Sequence, residues 1–267
     1  MKNLLYIGII FLLVGCTDHK KEGSELFESG QYEKALFHFE KVLNLEPRNA
    51  MMHYNAARCY EELGSYDEAI LHYDKSLESQ NDLIISYLGR GRSYYKKDDY
   101  KSAVIDFKNT LMIDKNNEDA LYYGALSYMK DSIYYKSQDA FTTLLELNPD
   151  HYKARFNRGV LYAIQANTLF ALSDFSNLIR NKKFLKNAHY NRGIVYQYNN
   201  NHDWAVRDFT KAIELGYKNE SIFTKRAESY LYLKESELAC QDYKKLAAMN
   251  PEAAQKYIRE NCQGILN

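Results

Sequence analysis

The most constraining feature of this sequence is a pattern that recurs every 34 residues and fits seven times without an insertion or deletion. The copies begin at residues 16, 50, 84, 118, 152, 186 and 220. Counted from the first residue of each copy, position 8 is always glycine or alanine, and position 24 is always phenylalanine or tyrosine. A fixed period of this length is typical of a solenoid, in which each repeat is one supersecondary unit.

Four positions of the repeat define its internal packing. Position 11 is tyrosine in six of the seven copies, from Tyr60 to Tyr230, and positions 8 and 20 are small. Position 8 is Gly23, Ala57, Gly91, Ala125, Gly159, Gly193 and Ala227. Position 20 is Ala35, Ala69, Ala103, Ser137, Ala171, Ala205 and Ala239, and position 24 is Phe39, Tyr73, Phe107, Phe141, Phe175, Phe209 and Tyr243. These spacings predict two amphipathic helices per repeat, with small residues at their closest approach and rings beside them.

The three prolines of the chain all stand at position 32, as Pro47, Pro149 and Pro251. Proline there ends the second helix of one repeat before the next repeat begins. Since one helix pair cannot bury its apolar face alone, neighbouring repeats must stack.

Together these positions resemble the tetratricopeptide repeat, and the resemblance covers residues 16–253. It implies an all-α fold, an α-solenoid wound as a right-handed superhelix of seven helix–turn–helix repeats. The repeats would be 16–49, 50–83, 84–117, 118–151, 152–185, 186–219 and 220–253, followed by a capping helix and tail over 254–267. Ser137 departs from the usual alanine, and four repeats lack the proline.

Turns between the two helices of a repeat are predicted at Gly30, Gly64, Asp98–Asp99, Asn167 and Asn199–Asn201, because glycine and asparagine tolerate the left-handed conformation that closes a helix. The turn signals of repeats four and five are the weakest, and their boundaries are placed at Ser132 and Ala166.

The amino-terminal segment, residues 1–15, has the pattern of a signal peptide. Lys2 precedes an apolar run over 4–14, which is shorter than the ~20 residues that a membrane-spanning helix needs. The last three residues of this segment, Leu13 to Gly15, together with Cys16 resemble the lipobox of bacterial lipoproteins. The resemblance implies a diacylglycerol on the thiol of Cys16 and cleavage before that residue; Thr17, in place of aspartate, implies the outer membrane. The alternative is a plain secretory signal with a coincidental cysteine.

The composition argues for a folded protein without a nucleic-acid partner. The chain is 46% hydrophobic and 26% charged, with a formal net charge of +0. A neutral chain offers no polybasic patch for nucleic acid or for a membrane surface. The 25 tyrosines are largely accounted for by the repeat positions.

Arginine at position 7 and aspartate at position 23 occur together in four repeats and are both absent from the other three. These positions face each other in an antiparallel helix pair, so we expect a structural salt bridge inside each of the four repeats. The expected pairs are Arg90 with Asp106, Arg158 with Asp174, Arg192 with Asp208, and Arg226 with Asp242.

No catalytic, cofactor or metal constellation is recognised. His19 and His38 occupy positions 4 and 23 of repeat one, and His53 and His72 occupy them in repeat two, so each pair could meet. We expect no carboxylate or cysteine to complete a set of metal ligands, and we predict a non-catalytic protein without a metal or cofactor. Cys240 and Cys262 could meet between the last repeat and the cap, and their pairing is left open.

The remaining candidate site is the face of the first helices formed by positions 2, 5, 9 and 12. In tetratricopeptide repeat proteins this face lines the concave groove that takes peptides or helices. The predicted groove residues are Tyr54, Arg58, Leu88, Arg92, Tyr95, Tyr122, Phe156, Val160, Tyr190, Ile194 and Leu231. Arg58 and Arg92 could grip one acidic group, or be solvated arginines beside Glu61 and Glu62.

We therefore predict a lipid-anchored scaffold of the bacterial cell envelope that docks a protein or peptide partner in this groove. The alternative is a glycan-binding outer-membrane lipoprotein, because the predicted groove is rich in tyrosine.

Overall fold

The computed structural model describes residues 18–263. Cys16 and the predicted signal segment lie outside the described residues. Within 18–263 the chain consists of α-helices and turns, with no strand. The prediction of an all-α chain of successive packed helix pairs is confirmed.

Helix α1 occupies residues 18–28 of the described range, and fourteen further helices follow. They are α2 (Tyr32–Leu45), α3 (Ala50–Glu62), α4 (Tyr66–Ser79), α5 (Ile84–Lys96), α6 (Tyr100–Ile113), α7 (Glu118–Lys130), α8 (Tyr134–Leu147), α9 (Tyr152–Ile164), α10 (Thr168–Arg180), α11 (Leu185–Tyr198), α12 (His202–Glu214), α13 (Ser221–Tyr232), α14 (Ser236–Met249) and α15 (Pro251–Asn261). The described helices are too short or too polar to cross a membrane.

The chain divides into two compact units, Met1–Leu144 and Leu145–Asn267. In the first unit, Ala35 and Phe39 of repeat one share a buried cluster with Met52 and Ala56 of repeat two. In the second unit, a cluster that includes Phe175 of repeat five extends to Ala188 and Val195 of repeat six. Each unit is therefore built by stacking one repeat on the next.

Inside each repeat the two helices meet at positions 8, 20 and 24. All seven residues at position 20 are fully buried, and the aromatic residues at position 24 are at most 1% exposed. The ring at position 24 lies directly over position 8: a Cβ added at Gly193 would come within 2.8 Å of Phe209 Cε1. The small residues set the distance between the helices, as the sequence pattern predicts.

Capping side chains start several helices. Asn49, Asn117 and Asn250 each accept a hydrogen bond from a backbone N–H in the first turn of the helix that follows. Such a bond satisfies one of the donors that the first turn leaves without a helical partner. Helix α15 begins at Pro251, where the missing N–H of proline costs nothing.

The turn inside each repeat places position 15 in the left-handed conformation, with φ between 56° and 75° in all seven copies. Its residues are Gly30, Gly64, Asp98, Ser132, Ala166, Asn200 and Lys234. The weak signals at Ser132 and Ala166 therefore mark turns of the same kind as the two glycine turns.

A disulfide joins Cys240 of α14 to Cys262, which follows α15. The pairing that the sequence left open is thus present, and it fastens the capping helix to the last repeat. Cys59 is a buried free thiol, and burial raises its pKa to about 12. It therefore stays protonated and unreactive near neutral pH.

Candidate functional site

The four arginine–aspartate pairs are all in contact. In repeat seven, Arg226 Nε and Nη2 donate to Asp242 at 2.7 and 2.6 Å, and the arginine is 6% exposed. Arg90, Arg158 and Arg192 make the same two-pronged contact with Asp106, Asp174 and Asp208, at 2.6–2.9 Å. Burial alone would lower the pKa of Arg226, but the hydrogen bonds and charge of Asp242 outweigh it and the pKa is raised.

Three of these arginines also donate a hydrogen bond to the preceding repeat through their third guanidinium nitrogen. Arg90 Nη1 donates to Asp74 at 2.5 Å, Arg192 Nη1 to Ser176 at 3.0 Å, and Arg226 Nη1 to Thr210 at 2.8 Å. These partners all stand at position 25 of the preceding repeat. The arginines therefore tie neighbouring repeats together, and their charges are already satisfied by structural contacts.

Position 5, predicted to line the groove, packs instead against the position-24 ring of its own repeat. The ring centroids are 6.0 Å apart for Tyr54 and Tyr73, 6.2 Å for Tyr122 and Phe141, 6.0 Å for Phe156 and Phe175, and 5.9 Å for Tyr190 and Phe209. Leu88 is only 8% exposed and shares a cluster with Phe107. Positions 5 and 8 are three residues apart and share a helix face, so position 5 borders the core.

Positions 9 and 12 of the predicted face meet across neighbouring repeats. The guanidinium of Arg58 lies 4.1 Å from the ring centroid of Phe27, and Arg92 Nε donates to Glu61 at 3.2 Å. Glu61 also accepts from the hydroxyl of Tyr73 at 2.8 Å. In the second unit, Gln197 approaches Glu228 at 3.4 Å. Position 12 of one repeat thus contacts position 9 of the next.

These contacts change how the two predicted groove arginines are interpreted. Arg58 stacks on Phe27, whereas Arg92 is held by Glu61. The two guanidinium groups are engaged by separate partners and do not converge on one acidic group. Tyr95, at position 12, is half-buried against Tyr100 and Tyr123, with centroids 5.5 and 6.4 Å away.

A pocket opens where position 12 is small. It lies between repeats five and six, has a volume of about 570 Å³, and includes Ala163 at position 12 and Ile194 at position 9. We call it the Ala163 pocket. Its lining residues are Val160, Ala163, Ile164, Ala166, Thr168, Asn191, Ile194, Val195 and Tyr198. Alanine stands where repeats one, two and six have Phe27, Glu61 and Gln197, and the space those larger side chains fill is left open.

Two predicted groove residues, Val160 and Ile194, therefore lie together at this pocket. Tyr190 does not join them, because its ring stacks on Tyr217 at 4.4 Å and its hydroxyl shares a hydrogen bond with Ser221 at 2.9 Å. Leu231 is half-buried in the cluster around Tyr243.

The histidine pairs predicted at positions 4 and 23 are in contact. His19 Nδ1 lies 3.0 Å from His38 Nδ1, and His53 Nδ1 lies 3.3 Å from His72 Nδ1. The expectation that no carboxylate joins either pair is wrong for repeat one, because Glu22 Oε2 lies 3.5 Å from His38 Nδ1. The spacing of three between His19 and Glu22 could have revealed this, since it puts both on one helix face.

Two segments of the chain are similar to a known family. Residues 20–83 and 187–215 each match a model described as tetratricopeptide repeat. No curated protein matches the sequence significantly.

Solved structures share the fold along most of the chain. A tetratricopeptide repeat protein from Parabacteroides merdae is similar over 95% of this chain and 99% of its own, with 20% identity and a TM-score of 0.68. YrrB, described as a tetratricopeptide repeat protein with an unusual peptide-binding site, is 27% identical over 67% of this chain and 92% of its own, with a TM-score of 0.60. PilF from Pseudomonas aeruginosa shares the fold at 13% identity, covering 79% and 97% of the two chains, with a TM-score of 0.65.

Tetratricopeptide repeat proteins are generally non-catalytic scaffolds that bind protein or peptide partners. The fold of this chain is suited to that role. Its four buried arginine–aspartate pairs are engaged with each other, and the Ala163 pocket is an apolar cavity on the predicted partner face.

Proposed function

We propose that this protein is a lipid-anchored, non-catalytic scaffold of the bacterial cell envelope that binds a peptide segment of a partner protein. The observation that carries the proposal is the Ala163 pocket. Aliphatic side chains from Val160, Ile194 and Val195 line it, and Thr168 and Asn191 add polar groups. Apolar walls with a few polar groups are typical of a cavity that receives a side chain and orients the backbone beside it.

The similarity to YrrB supports a peptide as the ligand class. That protein is described as having a peptide-binding site, and it is 27% identical over 67% of this chain. An apolar anchor is favoured over an acidic one because Arg58 and Arg92 are already engaged by Phe27 and Glu61.

A glycan is the less favoured ligand because two tyrosines that suggested it are largely covered. Tyr190 stacks on Tyr217 at 4.4 Å, and Tyr122 contacts the rings of Tyr123 and Phe141. Stacking against a sugar requires an open aromatic face, and among the residues that line the pocket Tyr198 alone is aromatic.

The envelope location rests on the sequence of the amino-terminal segment. The Leu13 to Cys16 motif supplies an acyl acceptor, and more than one acyl chain makes anchoring stable. The Cys240–Cys262 disulfide is in keeping with this location, since disulfides persist in oxidising compartments such as the bacterial periplasm. In a bacterial host, the wild-type chain should sediment with membranes until detergent is added, and Cys16→Ser should move it to the soluble fraction. A variant that remains with the membranes would contradict lipid anchoring through Cys16.

Peptide binding can be tested by selecting ligands from a random peptide library with the full chain. The selected peptides should share one apolar residue. Ala163→Gln, which copies Gln197 at the same position of the next repeat, should fill the pocket and weaken binding at least about tenfold. Ala163→Ser, which leaves the pocket open, should keep the wild-type affinity.

Two results would overturn the assignment. One is equal affinity of the selected peptides for wild type and Ala163→Gln. The other is a failure to select any peptide while an oligosaccharide array gives saturable binding.

A further inference from the structure

We propose that the first repeat holds a divalent transition-metal ion between α1 and α2, with His19, Glu22 and His38 as its ligands. One possible ligand atom from each residue lies within 4.8 Å of the others. His19 Nδ1 and His38 Nδ1 are 3.0 Å apart, and Glu22 Oε2 is 3.5 Å from His38 Nδ1.

These distances suit the ligand shell of a small tetrahedral ion. With metal–nitrogen and metal–oxygen bonds near 2.0–2.1 Å, two ligand atoms of a tetrahedral site lie roughly 3.3 Å apart. The two measured separations fall on either side of that value.

The chemistry of the three residues points to Zn²⁺ and ions of similar preference. Imidazole nitrogen suits Zn²⁺, Cu²⁺ and Ni²⁺, and two histidines with one carboxylate leave a fourth position for water. Ca²⁺ and Mg²⁺ prefer shells made of oxygen ligands. We therefore take Zn²⁺ as the probe for this site.

An ion can reach the three residues from solvent. The His38 side chain is 14% exposed and that of Glu22 is 60% exposed. Both residues line a surface pocket of about 450 Å³, which also includes Glu33 and Lys34 with their opposite charges. The nearby Lys20 ammonium is held by the carboxylate of Glu46 at 2.9 Å.

The other repeats show why this combination is specific to repeat one. Positions 7 and 23 hold a mutually neutralising arginine and aspartate in four repeats. Repeat two keeps the histidine pair, but Ala56 stands at the position of Glu22 and His53 Nε2 contacts the carbonyl oxygen of Pro47 at 3.1 Å. Repeat two is therefore a natural control that has two histidines and no carboxylate at position 7.

Zinc binding can be measured on the full chain in detergent, stripped with a chelator and titrated with ZnCl₂ by calorimetry. We expect one Zn²⁺ per chain and a higher melting temperature in its presence. Glu22→Ala, which gives repeat one the pattern of repeat two, and His38→Ala should each raise the dissociation constant at least about tenfold. His72→Ala should leave zinc affinity unchanged.

Co²⁺ provides a spectroscopic readout, because the visible absorption of a tetrahedral Co²⁺ complex should appear with wild type and vanish with His38→Ala. If Glu22→Ala does not fold, as judged by circular dichroism without zinc, Glu22→Gln removes the charge and keeps the shape. The proposal is overturned if zinc does not saturate at one per chain. It is also overturned if Glu22→Gln and His38→Ala bind zinc as tightly as wild type, which would place the ion elsewhere.

Discussion

At the scale of single residues, the approach of the two helices depends on a missing side chain in the four repeats that have glycine at position 8. Added Cβ atoms at Gly23, Gly91 and Gly193 would come within 2.7–2.8 Å of the ring at position 24. Real Cβ atoms do not sit that close to a ring, so the ring or the helix would have to move. Such overpacking costs about 1–3 kcal/mol in a well-filled core.

Two glycines in helix interiors make a matched pair for testing this. Gly124→Ala should raise the free energy of unfolding by about 1 kcal/mol, because its Cβ meets nothing closer than 3.6 Å and alanine favours the helix. Gly193→Ala should gain the same helix propensity but lose more through the clash with Phe209. Urea denaturation of both variants would contradict the packing account if Gly193→Ala were as stable as Gly124→Ala.

Position 15 shows where sequence reasoning reaches its limit for single residues. Gly30 and Gly64 indicate a left-handed turn by their chemistry alone, whereas Ala166 and Lys234 do not, although all four have φ between 56° and 75°. The surrounding helices impose the left-handed conformation on alanine and lysine despite its steric cost. Only the alignment of the seven repeats predicts this conformation at Ala166 and Lys234.

Lys234→Gly should therefore stabilise the protein by about 1 kcal/mol, through relief of left-handed strain. The reverse exchange, Gly64→Ala, should destabilise it by a similar amount, because a Cβ would be introduced at φ 75°. Thermal unfolding of the two variants gives the comparison. Shifts of the melting temperature in the same direction for both would argue against strain as the cause.

At the scale of helices, the sequence predicted the contact between positions 7 and 23 but not the reach of the arginine into the preceding repeat. The contact between positions 7 and 23 could be predicted because arginine and aspartate occur there together in four repeats and are both absent from the other three. The partners at position 25 are Asp74, Ser176 and Thr210, which share only a polar oxygen. Because the residue type at position 25 differs among these repeats, the sequence pattern does not predict this contact.

Position 5 borders the packing stripe for a geometric reason. The prediction placed it opposite the packing stripe, but it is three residues before position 8 and so lies on the same side of the helix. Phe156 accordingly lies 6.0 Å from Phe175, and Leu88 is 8% exposed. Alanine substitutions at position 5 would remove core packing as well as any partner contact.

The histidine pair between α3 and α4 should make the stability of the protein depend on pH. Burial, together with the charges of His53 and Lys75, lowers the pKa of His72 to about 4. The pKa of His53 is also lowered, mainly by burial. An unfolded histidine has a pKa of about 6.5, so the unfolded chain binds protons first as the pH falls.

The contribution of His72 to the free energy of unfolding should therefore be constant above pH 6.5 and should fall as the pH drops from about 6.5 to 4. His72→Phe should reduce that slope, while the remaining histidines keep part of it. Urea midpoints measured at several pH values test this expectation. An unchanged slope in His72→Phe would mean that His72 does not carry it.

At the scale of the whole molecule, the repeat pattern accounts for the packing of both units. The candidate site lies where one repeat departs from that pattern, with a small residue at position 12. Val160 and Ile194 were predicted to lie on one face because both stand at position 9, and both line the pocket. It did not predict the pocket, since a cavity depends on what neighbouring side chains fail to fill. The small size of Ala163 becomes informative only when it is compared with the larger residues at the same position of other repeats.

The central claim is that a partner peptide enters at the Ala163 pocket. The most direct measurement is a methyl NMR titration of the full chain with a selected peptide. Methyl resonances of Val160, Ile194 and Val195 should shift and saturate together, whereas Ile105, which is 58% exposed on α6, should not move. Shifts at Ile105 without shifts at Val160 and Ile194 would contradict the account.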